Sequence, residues 1–150
     1  MKISTKGRYG LRVMIDLATY GESRHIPLRE ISQRQNITIK YLEQIMTPLL
    51  KGGYVNSFRG NNGGYQLKRP ATEITVGEII RTMEGSLAPV ACLEGEENVC
   101  PNKHKCQTLP VWEKLDALIE DYLNNIILQD LVQDRRDVHE TCPLTNGRRC

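Results

Sequence analysis

Apolar residues along the first fifty positions recur at helical spacing, in three blocks separated by polar breaks. "GRYGLRVMIDLATYG" carries Leu11, Val13, Met14, Ile15, Leu17 and Ala18 and closes on Gly21, which predicts a first, largely buried helix. "HIPLREISQRQ" follows, with Pro27 suited to a helix start and Leu28 and Ile31 on one face. After the break "NIT", "TIKYLEQIMTPLLKGG" places Ile39, Leu42, Ile45, Met46, Leu49 and Leu50 at helical spacing. Thr38 can cap its start and Gly52–Gly53 can stop it. Pro48 inside this block predicts a kink or an early end.

The period then changes. "YVNSFRGNNGGYQLKR" reads as two extended runs around a turn in which Asn62, Gly63 and Gly64 suit positive backbone angles. Two short helices joined by a tight turn outline a helix-turn-helix, and a hairpin directly after the second is a wing. Arg59 is expected at its base, followed by Gly60, and Lys68 and Arg69 on its return. "TVGE" at Thr75–Glu78 is a capping box opening a short helix that ends at Gly85. From Thr108 to Val132 the pattern predicts one long helix. Trp112, Leu115, Ile119, Tyr122 and Ile126 form a heptad seam, and Leu118, Leu123, Ile127 and Leu131 a second row. So broad a stripe exceeds the need of one small domain, so one face is expected on the chain's own core and the other on a partner helix.

The expected fold is mainly α with a small β-hairpin: a winged helix-turn-helix followed by a long C-terminal dimerisation helix. It divides into a DNA-binding domain over 1–70, a connecting helix and cysteine loop over 71–107, the dimerisation helix over 108–133 and a mobile polar tail over 134–150.

Charge sharpens this division. The 150 residues carry a net charge of only +2, but residues 1–69 hold 12 Lys or Arg against 4 Asp or Glu, and residues 70–150 hold 8 against 14. A basic first half points to a polyanionic partner. The N-terminus is polar at once, with no apolar secretory stretch, and no run is long enough to span a bilayer. A cytoplasmic protein with no membrane partner is expected. There is no phosphate-binding glycine loop and no GxSxG, and His25, His104 and His139 are scattered. With no nucleophile–base pair evident, an enzyme is not expected.

Three of the five cysteines, Cys92, Cys100 and Cys106, fall within "CLEGEENVCPNKHKC". In the cytoplasm such a cluster is metal-binding or redox-active rather than a disulfide framework. Spacings of seven and five residues are not the CxxC pairs of a structural zinc site and can wrap a larger object, yet soft thiolates suit zinc and iron–sulfur alike. Both remain open on spacing, with redox thiols behind them. An electron carrier would share the cysteines but has no use for a basic wing. His104 is a further candidate ligand.

"ISTKGRYGLRVMIDLA", "YLEQIMTPLLKGGYVNSFRGNNGGYQL", "TVGEII" and the three cysteines followed by "LNNIILQDLV" resemble, in order and spacing, the IscR-type regulators of iron–sulfur cluster biogenesis. These belong to the Rrf-two group of winged-helix transcription factors, which also includes nitric-oxide and cysteine-metabolism sensors. The resemblance runs from Met1 to about Val132. It implies a homodimeric bacterial repressor that binds a double-stranded DNA operator and carries an iron–sulfur cluster, 2Fe-2S or alternatively 4Fe-4S, on Cys92, Cys100 and Cys106. The group also admits thiol or zinc regulators.

Two features depart from the IscR pattern. Seven residues rather than five separate the first two cysteines, and the position of the usual histidine ligand is Leu109. That leaves the fourth place to His104, to Glu94, Glu96 or Glu97, to a partner residue or to an exogenous thiol. Cys142 and Cys150 have no counterpart and read as exposed thiols. The helix from Thr38 is expected in the major groove, with Thr38, Lys40, Tyr41, Glu43 and Gln44 on its leading turns. Glu43 can accept from cytosine N4 and repels phosphate, a selectivity element. Arg59 is expected in an adjacent narrow minor groove, and Lys6, Arg8 and Lys68 on phosphates.

Overall fold

The fold was obtained as a computed structural model, which describes residues 2–95 and 97–134. Glu96, the polar tail from residue 135 and its Cys142 and Cys150 lie outside the described residues. The described chain runs α1 (Thr5–Tyr20), α2 (Leu28–Gln35), α3 (Ile39–Lys51), β1 (Val55–Phe58), β2 (Gly64–Leu67), α4 (Val76–Glu84), α5 (Leu109–Asn124) and α6 (Leu128–Asp134).

The starts of α1, α3 and α4 are set by side chains that satisfy free backbone amides. Ser4 accepts from the Gly7 amide at 3.1 Å, and Thr38 from the Tyr41 amide at 3.3 Å. Thr75 and Glu78 form the reciprocal capping box. Asn36 ends α2 in the left-handed conformation (φ 54°), which a short amide side chain tolerates, and so turns the chain sharply into α3. Pro48 does not end α3, which runs on to Lys51. A proline there removes one backbone bond, and the buried row Leu42, Ile45, Met46 and Leu49 holds the helix through it.

β1 and β2 pair antiparallel from Val55 opposite Leu67 to Phe58 opposite Gly64. Positive φ falls on Gly60 (103°) and Gly64 (152°), not on Asn62 and Gly63 as the turn's composition suggested. The turn spans five residues, and those two glycines sit where the chain leaves and rejoins the ladder.

The main core gathers Val13, Met14 and Leu17 of α1, Ile31 of α2, the inner row of α3, Val55, Ile74, Ile79, Met83 and Leu128. A second cluster joins Val76, Ile80 and Leu87 to Ile3, Leu11, Ile119, Leu123, Ile126 and Leu131. One fully buried carboxylate lies among these apolar contacts. Asp16 of α1 accepts from Arg34 Nη2 at 2.7 Å, Arg34 Nε at 3.0 Å and Gln35 Nε2 at 2.8 Å, which locks α2 onto α1.

The predicted helix from 108 to 132 is two helices. Asn125 bonds its side chain to the carbonyl and carboxylate of Asp121, competing with helical continuation. Ile127 then bridges Thr75 in antiparallel fashion, with Val76 N–H donating to Ile126 O at 2.9 Å and Leu128 N–H to Ile74 O at 2.8 Å. The break drops Leu128 into the main core with no exposure, a burial that contributes about 1.5–3 kcal/mol. It also re-sorts the two apolar rows. Ile119, Leu123, Ile126 and Leu131 face the chain's own core, while Val111, Leu115, Leu118 and Tyr122 face outward. No helix among the described residues is long and apolar enough to cross a membrane.

Candidate nucleic-acid interface and cysteine loop

The outward face of α3 carries Thr38, Lys40, Glu43, Gln44 and Thr47, all exposed, behind which Leu42, Ile45 and Met46 are buried. Tyr41 is half-buried, with its ring edge-on to Tyr9 at 5.9 Å between centroids. It therefore ties α3 to α1 as well as bordering the exposed face. Ile39, whose spacing put it with the apolar row, is 45% exposed at the helix start. Thr47 extends the exposed row by one turn and was not singled out by sequence; its hydroxyl donates to the Glu43 carbonyl at 3.0 Å. Arg59 and Gly60 are exposed in the wing turn, and Lys68 is exposed on its return. At the start of α1, Lys6 is half-buried and Arg8 exposed. Lys40, Arg59, Lys68 and Arg8 thus present cations from α3, the wing and α1.

The wing is tied to the body by more than its own ladder. Ile26 N–H donates to Tyr65 O at 2.8 Å and Tyr65 N–H to Ile26 O at 2.9 Å. Any Cβ on Gly64 would lie 2.5 Å from the Ile26 carbonyl carbon, so only glycine permits this approach. Arg69 pairs with Glu78 at 3.1 Å and lies over the Tyr54 ring. Burial works against ionisation of Glu78, but the Thr75 backbone amide and the Arg69 guanidinium outweigh it and lower its pKa.

The cysteine loop leaves α4 through Gly85 (φ 85°) and returns at α5. Leu87 anchors its first stretch against Ile3, Val76 and Ile80. Cys92, Cys100 and Cys106 are free thiols, each partly exposed. Cys92 sits in a short 3₁₀ turn (Ala91–Leu93); Cys100 N–H donates to Asn98 Oδ1 at 2.9 Å. Cys106 lies three residues before the first residue of α5, where the Thr108 hydroxyl, 3.4 Å from Sγ, and the backbone amides of Thr108 and Leu109 lower its pKa. Asn98 Nδ2 is buried with no hydrogen-bond partner among the described residues. Three accessible thiols, one with a lowered pKa, are ligands that suit a thiolate-held cluster, and the unpaired amide could donate a hydrogen bond to its sulfur. The loop is not a preformed cage: among the described residues no three His, Cys, Asp or Glu side chains are gathered to hold one metal ion. His104 is exposed in a second 3₁₀ turn (Lys103–Lys105), and Leu109 is the first residue of α5.

Loop and reading head meet at the N-terminus of α1. Glu84, the last residue of α4, accepts from Ser4 N–H at 3.2 Å and from the Ser4 hydroxyl at 2.7 Å, while Ser4 itself caps α1. Gly7 and Gly10 allow this contact: a Cβ on Gly7 would lie 2.1 Å from Glu84 Oε1, and one on Gly10 2.8 Å from Met83 Cγ.

Residues 3–134 match the Rrf2 family, described as an iron-dependent transcriptional regulator. The HTH-type transcriptional regulator IscR of Sodalis glossinidius (strain morsitans) is 39% identical over 156 residues, spanning 99% of this chain and 93% of that protein. Among solved structures, CymR, the global cysteine regulator of B. subtilis, is 41% identical with a TM-score of 0.72, covering 89% of this chain and 97% of that one. IscR of T. potens is 36% identical with a TM-score of 0.71, covering 98% and 94%.

Proposed function

Because the chain belongs to the Rrf2 family, and is therefore a DNA-binding transcriptional regulator rather than an enzyme, we propose that it is a dimeric cytoplasmic repressor whose operator affinity follows an iron–sulfur cluster held by Cys92, Cys100 and Cys106. The observation that carries this reading is the placement of three accessible thiols on one loop whose origin, at Glu84, is bonded to Ser4, the cap of α1, the helix that carries Lys6 and Arg8. When bound, the cluster would supply an oxygen-labile clasp, 2Fe-2S or 4Fe-4S, that draws this loop together. The chain's own residues then carry the signal. Leu87 and Glu84 fix where the loop leaves α4, and Ser4 fixes the first turn of α1 with Lys6 and Arg8. The result is a coupling free energy between loop and operator.

In this reading Thr38, Lys40, Tyr41, Glu43 and Gln44 line the major groove, and Arg59 with Gly60 enters the minor groove. Lys6, Arg8 and Lys68 contact phosphates. The outward row of α5 supports the dimer. Val111 is 59% exposed, Leu118 57% and Tyr122 67%, at a coiled-coil spacing that a second copy would cover. Iron–sulfur biogenesis genes are the proposed targets, on the likeness to IscR proteins.

The likeness to the cysteine regulator and the lowered pKa of Cys106 favour a second reading, in which the thiols act by redox or zinc chemistry without a cluster. Anaerobic purification with iron and sulfide assay separates the two. Visible absorption that is lost on Ala substitution of Cys92, Cys100 or Cys106, together with operator affinity that changes on cluster loss, supports the cluster. Protein free of iron and sulfide that responds to thiol oxidants or binds zinc overturns it.

A further inference from the structure

The distal half of the wing has little support of its own. Along β1 only Val55 is buried; Asn56, Ser57 and Phe58 are exposed, and an isolated two-stranded hairpin is marginal in water. The Ile26–Tyr65 bridge and the bond from Gln66 Nε2 to Gly21 O at 2.8 Å brace the wing along β2. Beyond Tyr65 the bracing is done by His25, on the loop between α1 and α2. Its ring lies flat on Phe58, with centroids 3.7 Å apart and planes 8° from parallel. Its Nδ1 lies 3.3 Å from the carbonyl oxygen of Asn62.

These two contacts bracket the turn. Phe58 is the residue before Arg59, and Asn62 lies near the turn's other end. Between them the turn is closed on itself by Gly63 N–H donating to the Gly60 carbonyl at 3.0 Å, a bond that does not tie it to the body, and Gly60 (φ 103°) and Asn61 are exposed. A side chain that must enter a narrow groove gains affinity when its backbone is fixed before binding, because less ordering entropy is lost on contact.

We propose that His25 is a positioning residue for operator recognition: stacked on Phe58 and bonded to the Asn62 carbonyl, it pre-sets the wing turn so that Arg59 is presented to the groove. Nδ1 donates its hydrogen to the carbonyl, so the imidazole is held as the Nδ1–H tautomer or as imidazolium. The proposal rests on the reading that Arg59 enters the groove, and the test separates the two.

The test is a double-mutant cycle of His25→Ala and Arg59→Ala, with operator and random duplex affinities measured by fluorescence anisotropy and stability followed by thermal melting. Arg59→Ala alone is expected to weaken operator binding about tenfold or more. His25→Ala alone is expected to cost about two- to tenfold on operator DNA, the range of one aromatic stack or one hydrogen bond, and to leave random duplex binding unchanged. In the Arg59→Ala background His25→Ala should have no further effect. His25→Phe, which keeps the stack and drops the bond, should restore most of the affinity. If Arg59→Ala is silent, the groove assignment of the wing fails. If Arg59→Ala weakens binding but His25→Ala is silent, or its loss is equal in both backgrounds, the positioning role is overturned. Should His25→Ala lower the melting temperature, His25→Phe decides: a stable His25→Phe protein that binds no better than His25→Ala also overturns it.

Discussion

Asp16→Asn is expected to be among the most destabilising single-atom changes available to this chain. The carboxylate is fully buried and accepts three hydrogen bonds, two from Arg34 and one from Gln35. An asparagine there keeps one acceptor oxygen and turns an amide NH2 toward donors, so at least one of the three bonds is replaced by donor facing donor. It also leaves the Arg34 guanidinium without its buried counter-charge. Removing one partner of a buried pair costs about 3–5 kcal/mol. Arg34 is a quarter exposed and keeps Glu30 at 3.0 Å, so the lower end applies, about 3 kcal/mol. For a chain of this size that is a fall in melting temperature of roughly 6–12 °C. The assay is thermal and urea unfolding at one fixed protomer concentration, since association shifts apparent stability. Replacing Asp16 and Arg34 together by leucine and methionine should recover most of the loss, because the cost lies in stranding one charge rather than in lacking the pair. If Asp16→Asn melts within about 0.5 kcal/mol of wild type, a typical surface effect, the lock between α1 and α2 is not the contribution assigned to it.

Lys68→Ala should weaken operator and random duplex alike and reduce the logarithmic salt slope by about one unit, as expected for one lost phosphate contact; a loss confined to the operator would place Lys68 on bases instead. Leu118→Glu with Tyr122→Glu should give a monomer by light scattering with much weaker operator binding, and an unchanged dimer would move the interface off α5. Glu30 has its pKa lowered to about 2 by hydrogen bonds from Arg24 and then Arg34. Its stabilisation is therefore complete above the ordinary glutamate value and lost as pH falls toward 2. The gap in melting temperature between wild type and Glu30→Gln should be present at pH 6, reduced by salt because the pair is near the surface, and should shrink steadily as pH falls below the ordinary glutamate value, closing only as pH drops through 2. A gap that widens on acidification would contradict the sign.

Much of the reading head is legible in the chain because its signals are local. Thr38, Thr75 and Glu78 cap helices within three residues of themselves, and the inner row of α3 follows from helical spacing. What escaped the sequence depends on residues far apart. The Asn124–Asn125 pair marks a place where a helix can stop, but only the bridge between Thr75 and Ile127 makes it stop there. Helical spacing continues past it, so each of the two rows read from spacing is divided in the structure between the core-facing and the outward side. Asp16 interrupts the run "RVMIDLA", a charge within apolar neighbours, which is the one sequence sign of a buried pair; its partner eighteen residues on carries none. His25 reads as a scattered histidine because its stack on Phe58 spans two elements. The thiols were legible as a group, whereas their separation on the loop was not.

These long-range contacts converge on α1, which offers the proposed function a route by which a loop remote in sequence could bias a DNA-reading surface. Its first turn is held by Glu84 through Ser4, and its small residues Gly7 and Gly10 seat the end of α4. One turn further, Tyr9 meets Tyr41 of α3, and Arg12 Nη2 donates to the Gln35 carbonyl at 2.6 Å where α2 ends. Asp16 fixes α2, and the carbonyl of Gly21, just past the helix, receives Gln66 from the wing. In the proposed reading, every element that presents a side chain to DNA is thus referenced to one helix of sixteen residues. A closely packed helix moves as a rigid unit rather than deforming along its length. A shift of α4 against Gly7 and Gly10 would therefore reorient α3 and the wing together, relative to the outward face of α5. In the proposed two-fold dimer that motion would change the separation of two reading heads, which is the quantity an operator with fixed half-site spacing measures.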